Sequence, residues 1–93
     1  MKYEWDAEKN SINQRKHGIS FEVAVAVFWD DYRLELYDEM HSVEEDRYIA
    51  IGLVEEVLFV VYTERKDRVR LISARLANEH ERRLYFDRKL YPT

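Results

Sequence analysis

Leu58-Phe59-Val60-Val61-Tyr62-Thr63-Glu64-Arg65-Lys66-Asp67-Arg68-Val69-Arg70-Leu71-Ile72-Ser73-Ala74-Arg75 is the stretch on which the fold turns. Leu58 to Tyr62 are apolar at every position rather than at every second one, so the strand they form needs cover on both faces and belongs in the middle of a sheet. Lys66-Asp67 reads as a short turn, and beyond it Val69 and Leu71 point inward from a strand over Arg68–Ala74. On the other side, Val54-Glu55-Glu56-Val57 reads as a tight hairpin, preceded by a strand whose Ile49, Ile51 and Leu53 share one face. An acidic turn, Asp38 to Asp46, comes before that strand. Earlier still, Tyr32, Leu34 and Leu36 alternate with Arg33, Glu35 and Tyr37, the pattern of a half-buried strand. Four strands joined by short turns predict an antiparallel meander.

Helical signals flank the meander. Lys2–Trp5 reads as a short strand, and Asp6 as the N-cap of a helix over Ala7–Lys16 that Gly18 stops. That helix has a thin apolar face, Ala7 and Ile12, suited to the edge of a core. Ser20 caps a second helix, Phe21–Trp29; its alternating valines also suit a strand, and the Ser cap and the alanines tip the reading to helix. Asn78 caps a closing helix, Glu79–Lys89, whose Leu84 and Tyr85 dock on the sheet. The predicted order is β-α-α-β-β-β-β-α, a two-layer α+β domain on an antiparallel sheet.

Ninety-three residues suffice for one core and not for two. A hydrophobic content of 46% argues against disorder although 37% of residues are charged. With no cysteine, disulfides and thiolate chemistry are excluded, and His17, His41 and His80 lack metal-ligand spacing. Two glycines leave no Gly-rich phosphate loop, so no cofactor is expected. The opening Met-Lys-Tyr-Glu-Trp-Asp has no apolar signal core. The longest apolar run, Val57–Tyr62, falls far short of the roughly 20 residues that cross a bilayer. A cytoplasmic protein without membrane contact is expected.

The charges are unevenly placed. Residues 1–64 carry six Lys and Arg against fifteen Asp and Glu, whereas residues 65–93 carry nine against four. Arginine dominates the basic part, and its planar fork matches a pair of phosphate oxygens. A net-acidic chain, with a pI near 5.4, that gathers arginine in one stretch is suited to hold a phosphodiester locally without binding nucleic acid broadly.

Several ordered blocks carry a resemblance. Trp5-Asp6, Lys9, Asn13 and Lys16-His17-Gly18-Ile19-Ser20-Phe21-Glu22 open it, with Ala24 and Val27-Phe28. Arg47-Tyr48-Ile49-Ala50-Ile51-Gly52, Val60-Val61-Tyr62-Thr63-Glu64-Arg65, Arg70-Leu71-Ile72-Ser73-Ala74-Arg75 and Glu81-Arg82-Arg83-Leu84-Tyr85 follow in order. Over about residues 3–86 the chain resembles the BrnT family, and residues 1–93 read as a single domain of that type. The resemblance implies a RelE-like fold and a metal-independent endoribonuclease toxin of a type II toxin–antitoxin pair, cleaving mRNA. It implies a BrnA-type antitoxin with a ribbon-helix-helix part as partner, the complex reaching operator DNA through the antitoxin. Where family members often carry basic residues after Ser-Ala-Arg, this chain has Leu76 and Glu79, which weakens the positive field there.

Metal-free RNA cleavage removes a proton from a 2′-hydroxyl, compensates charge on a pentacoordinate phosphate and protonates the departing 5′-oxygen. Charge compensation is commonly the largest contribution, about 100- to 1000-fold per good donor. The arginines therefore lead the candidates. Arg65 and Arg75 end neighbouring strands and could clamp a phosphate, or could simply pair with Glu64 and Glu81. Arg82, and His17 with Lys16, complete the catalytic candidates. Histidine is the side chain suited to acid–base work near neutral pH, which recommends His17, yet Arg15-Lys16-His17-Gly18 is also how an ordinary helix ends. Arg68, Arg70, Arg83, Tyr62 and Tyr85 are the RNA-binding candidates, with core packing the rival role for both tyrosines and pairing to Glu79 the rival for Arg83. In an unbroken strand, Arg68 and Arg70 share a face that Arg75 does not. A silent antitoxin-binding module acting only in operon autoregulation is the alternative function.

Overall fold

The structure, a computed structural model, describes residues 1–91. β1 (Lys2–Glu4) leads into α1 (Ala7–His17) and α2 (Phe21–Ala24), which tightens into a 3₁₀ turn over Val25–Trp29. β2 (Leu34–Tyr37), β3 (Tyr48–Val54), β4 (Glu56–Arg65) and β5 (Arg68–Leu76) follow, and α3 (Glu79–Leu90) closes the chain. The five strands lie in the order β1-β5-β4-β3-β2. β2 to β5 form the meander, but β1 pairs in parallel with β5, Tyr3 opposite Val69, so the sheet is mixed and not purely antiparallel as expected. Apolar alternation orients side chains and says nothing of which neighbour a three-residue strand chooses.

The all-apolar β4 sits in the middle and feeds two cores. Leu58, Val60 and Tyr62 face α1 and α2, where Phe21, Ala24 and Val27 pack with Ala50, Leu71 and Ala74. Val57 faces the other way and packs with Ile51 and Tyr85, flanked by Leu53, Phe59 and Phe86. Helices therefore cover both faces, three layers in place of the expected two. Gly52 lets the 3₁₀ turn approach: a Cβ there would stand 2.8 Å from Cγ1 of Val27 and 3.2 Å from its carbonyl oxygen.

α1 packs through polar residues, a second departure. Ile12 is exposed, whereas Asn10 and Asn13 are buried. The Asn10 side chain accepts from Phe21 N at 2.8 Å, tying α1 to the start of α2. Asn13 Oδ1 accepts from Ala74 N at 3.1 Å, and its Nδ2 donates to the carbonyls of Ala74 and Ile19, both at 2.8 Å. β1 covers β5 only over Arg68–Arg70, so the Asn13 amide closes the edge of β5 that β1 leaves open. In α3, Tyr85 is buried as expected, but Leu84 is exposed and Phe86 takes its place against the sheet.

Candidate functional site

Along the ladder between β4 and β5, Tyr62 lies opposite Leu71 while Val61 lies opposite Ser73, so Ile72 is passed over. This β-bulge resets the alternation of β5. Arg68 and Arg70 and, past the bulge, Ser73 and Arg75 all come to the face that carries α3. Arg65, opposite Arg68, and Thr63, opposite Arg70, join them. The strand-parity obstacle to a common face disappears, because the bulge supplies the one residue that parity required.

The face has two ends. At the turn end, Arg70 Nη1 lies 2.6 Å from Glu4 Oε2 and Arg68 Nη1 3.3 Å from Glu4 Oε1. Arg65 Nη2 reaches Glu45 Oε1 in the acidic turn at 3.1 Å. The hydrogen bond from Arg70 holds the Glu4 carboxyl below the usual carboxylate range, against some desolvation and with help from Arg68. The Arg65 and Arg68 side chains stay 49% and 53% exposed, open enough to exchange one anion for another. Thr63 is buried on this face, and its hydroxyl has no hydrogen-bond partner. Arg47, of the same parity as Ile49, has no carboxylate within 4 Å among the described residues, and sequence reasoning passed it over.

Five residues further along β5, at about 3.3 Å each, lies the α3 end. There Arg75 donates to both Glu81 oxygens, at 2.8 and 2.9 Å, and to the Leu76 carbonyl at 3.1 Å. Its guanidinium carbon lies 3.8 Å from the centre of the Phe59 ring. Glu81 is buried and also accepts from Asn78 N at 2.8 Å, completing the box that starts α3. The Arg75 hydrogen bonds outweigh burial and hold the Glu81 carboxyl low. Arg82 is exposed, its guanidinium 5.7 Å from the Phe86 ring, and Arg83 pairs with Glu79 at 2.6 Å.

The remaining candidates do not join the turn end. Asn13 fixes α1 at Ala74, so Lys16 and His17, which end the helix one turn later, lie toward the Leu76 end and on the opposite layer. Both are exposed, and Gly18, at φ 72°, caps the helix after them. Tyr62 and Tyr85 are only 3% and 0% exposed, so neither ring is open to a base, and both belong to the cores. Burial pushes both hydroxyls well above the usual tyrosine range; at Tyr85 the bond to Asp30 Oδ2, 2.5 Å long, adds to it. Asp30 Oδ2 also accepts from Leu53 N at 2.8 Å, so one carboxylate joins α3 to β3. Burial alone would raise the Asp30 carboxyl, but the bonds from Tyr85, Leu53 N and Tyr32 N outweigh it and hold it low. Nothing in the sequence marked that residue.

A small mixed α+β protein with an arginine-lined sheet face is the class that fold and site define. The family model described as "Ribonuclease toxin, BrnT, of type II toxin-antitoxin system" matches residues 5–81, and the chain belongs to that family. Membership makes it a toxin of the ribonuclease class that works against an antitoxin partner. Among curated proteins none matches the chain. The family match ends at Glu81, so Arg82, Arg83 and Tyr85 lie beyond it. Among the described residues, no helix is long and apolar enough to cross a membrane.

Proposed function

We propose that the chain is a metal-independent endoribonuclease that cleaves mRNA in the cytoplasm and is neutralised by a BrnA-type ribbon-helix-helix antitoxin, the pair reaching operator DNA through the antitoxin. On this reading the fold is RelE-like. The observation that carries it is the register of β4 and β5, which sets Arg65 opposite Arg68 with Arg70 on the same open face, while the bulge at Ile72 turns Arg75 to that face as well. Arg65, Arg68 and Arg70 take the phosphate oxygens of single-stranded RNA, displacing Glu4 and Glu45, and compensate the charge that builds on the pentacoordinate phosphorus. Arg75, held by Glu81, positions the α3 end of the face. Arg82 and Arg83 extend the positive field along α3. Lys16 and His17 act on the same backbone only if it wraps round the Leu76 end.

The silent-module alternative also draws on one specific observation, the bidentate hold of Glu81 on Arg75. One experiment separates the two. The purified chain is incubated with single-stranded RNA in EDTA and the new ends are mapped. Cleavage leaving 2′,3′-cyclic phosphate ends, and lost in Arg68→Ala/Arg70→Ala, is the expected result. Intact RNA with or without Mg²⁺ overturns the nuclease reading, and cutting only when Mg²⁺ is returned overturns its metal independence.

A further inference from the structure

β2 ends the sheet, with no strand on its outer side among the described residues. It faces β3 with Leu34 opposite Ile51 and Leu36 opposite Ile49, and the ladder continues in the bond from Asp38 N to Arg47 O, 2.9 Å long. Hydrogen-bonded pairs alternate along an antiparallel ladder. Leu34, Leu36 and Asp38 therefore commit their main-chain groups to β3, while Glu35 and Tyr37 direct theirs outward, to solvent.

The side chains along this edge are unusual for an exposed strand. Leu36 and Tyr37 are 42% and 51% exposed, and Trp29, shortly before the strand, is 69% exposed. The charge is one-sided as well: residues 30–46 hold eight carboxylates and one arginine. That density repels RNA. It also repels a second copy of the chain, since edge-to-edge pairing would set one acidic row against another. What it attracts is a cationic strand.

We infer that β2 receives an extended segment of the antitoxin, which adds a sixth strand to the sheet. The main chain of the incoming segment bonds to Glu35 and Tyr37. Its side chains alternate: an apolar residue beside Leu36 continues the apolar surface of Ile49 and Val61, and lysine or arginine stands beside Glu35 and the acidic flanks. The inference rests on the family's pairing with an antitoxin and not on RNA cleavage, so a failed cleavage assay leaves it standing. It places the partner at the far edge of the sheet from β1, with Arg68 and Arg70 outside its footprint.

The test uses the full chain co-purified with its antitoxin. Amide hydrogen exchange of Glu35 and Tyr37, fast in the free protein, is expected to slow by about tenfold or more in the complex. Glu35→Pro removes an outward N–H, a position where an edge strand tolerates proline. It is expected to weaken the complex by about tenfold or more, the equivalent of one lost hydrogen bond and a ring in the way. Glu35→Ala, which keeps the N–H, is expected to change affinity less than about threefold, being one rim charge. Unchanged exchange at Glu35 and Tyr37 in the complex overturns the inference, and this measurement stands even where Glu35→Pro fails to fold. Equal affinities of the Pro and Ala variants overturn it too. So does a dimer of the free chain that Glu35→Pro abolishes, which would assign the edge to a second copy.

Discussion

Arg75→Ala is the obvious knock-out of the candidate site, and the structure makes it first of all a stability mutation. The change deletes two charge-assisted bonds to Glu81 and a guanidinium stacked on Phe59, and leaves a buried carboxylate with only the Asn78 N–H. Hydrogen bonds to charged groups contribute about 1.5–3 kcal/mol, and orphaning a buried partner costs more. Because the Arg75 side chain is 36% exposed, solvent screens part of the pair, and a loss of about 2–3 kcal/mol is expected at pH 7. For a domain of this size, with a urea slope near 1–1.5 kcal/mol/M, the midpoint falls by about 2 M. Fluorescence of Trp5 and Trp29 during urea titration reads it. The sign with pH is fixed by Glu81. Its carboxyl is depressed in the folded protein by Arg75, so the pair stabilises above the unfolded pKa, and that stability is lost as pH falls through the folded value. Without Arg75 the burial remains and favours the protonated form. The difference between the two proteins should therefore shrink from pH 7 to about pH 3. Arg75→Ala/Glu81→Gln should recover about 1 kcal/mol, since the glutamine oxygen still accepts from Asn78 N. A loss under about 0.5 kcal/mol at pH 7, or one that does not change with acid, would refute the structural role.

Asn13→Ala leaves two groups of Ala74 and the Ile19 carbonyl without their partner, and should cost about 3 kcal/mol in a urea melt, against about 1 for an ordinary surface change. Gly52→Ala should destabilise by about 1–3 kcal/mol, because the new Cβ meets the buried Val27 and its backbone oxygen; a neutral result would mean that the 3₁₀ turn is free to shift. Glu55, at φ 63° in the hairpin between β3 and β4, carries left-handed strain, so Glu55→Gly should raise the melting temperature and stabilise by about 0.5–1 kcal/mol. Glu4→Gln removes the anion held by Arg68 and Arg70, and should tighten single-stranded RNA binding severalfold while steepening the salt slope by about 0.7; weaker binding would sink the exchange model.

The meander was legible because each of its strands has a simple reason to exist. Leu58–Tyr62 is apolar on both sides and can only be central; Asp6, Ser20 and Asn78 are short polar residues whose oxygens cap the three helices that follow them. Three features were not legible, and each for its own reason. The partner of β1 depends on a contact with Arg68–Arg70 more than sixty residues away. The second α layer hangs on Asp30, Tyr85 and Leu53 N, a polar knot among residues that look separately ordinary. The bulge at Ile72 has neither glycine nor proline to announce it, yet it decides whether Arg75 joins the face of Arg65, Arg68 and Arg70. Alternation rules could state the difficulty and not its solution.

Arg65, Arg68, Arg70 and Arg75 on that face each already have an acidic partner, but the partners are of two kinds. Glu81 is buried, bonds through both oxygens and also builds the first turn of α3, so releasing Arg75 would undo part of the fold. Glu45 is 44% exposed on a loop and bonds through one arginine nitrogen, and Glu4 shares its two oxygens between two arginines. A phosphate offers the same geometry with more charge, so it can take their place without breaking a cap or opening a core. A chain that is acidic overall and keeps its open arginines loosely neutralised avoids indiscriminate binding. It also sets a threshold that only a well-placed backbone crosses. The turn end, with exchangeable anions over the unsatisfied hydroxyl of Thr63, is thus where RNA is expected to engage, and Arg75 is the strut that keeps the far end of the face in register.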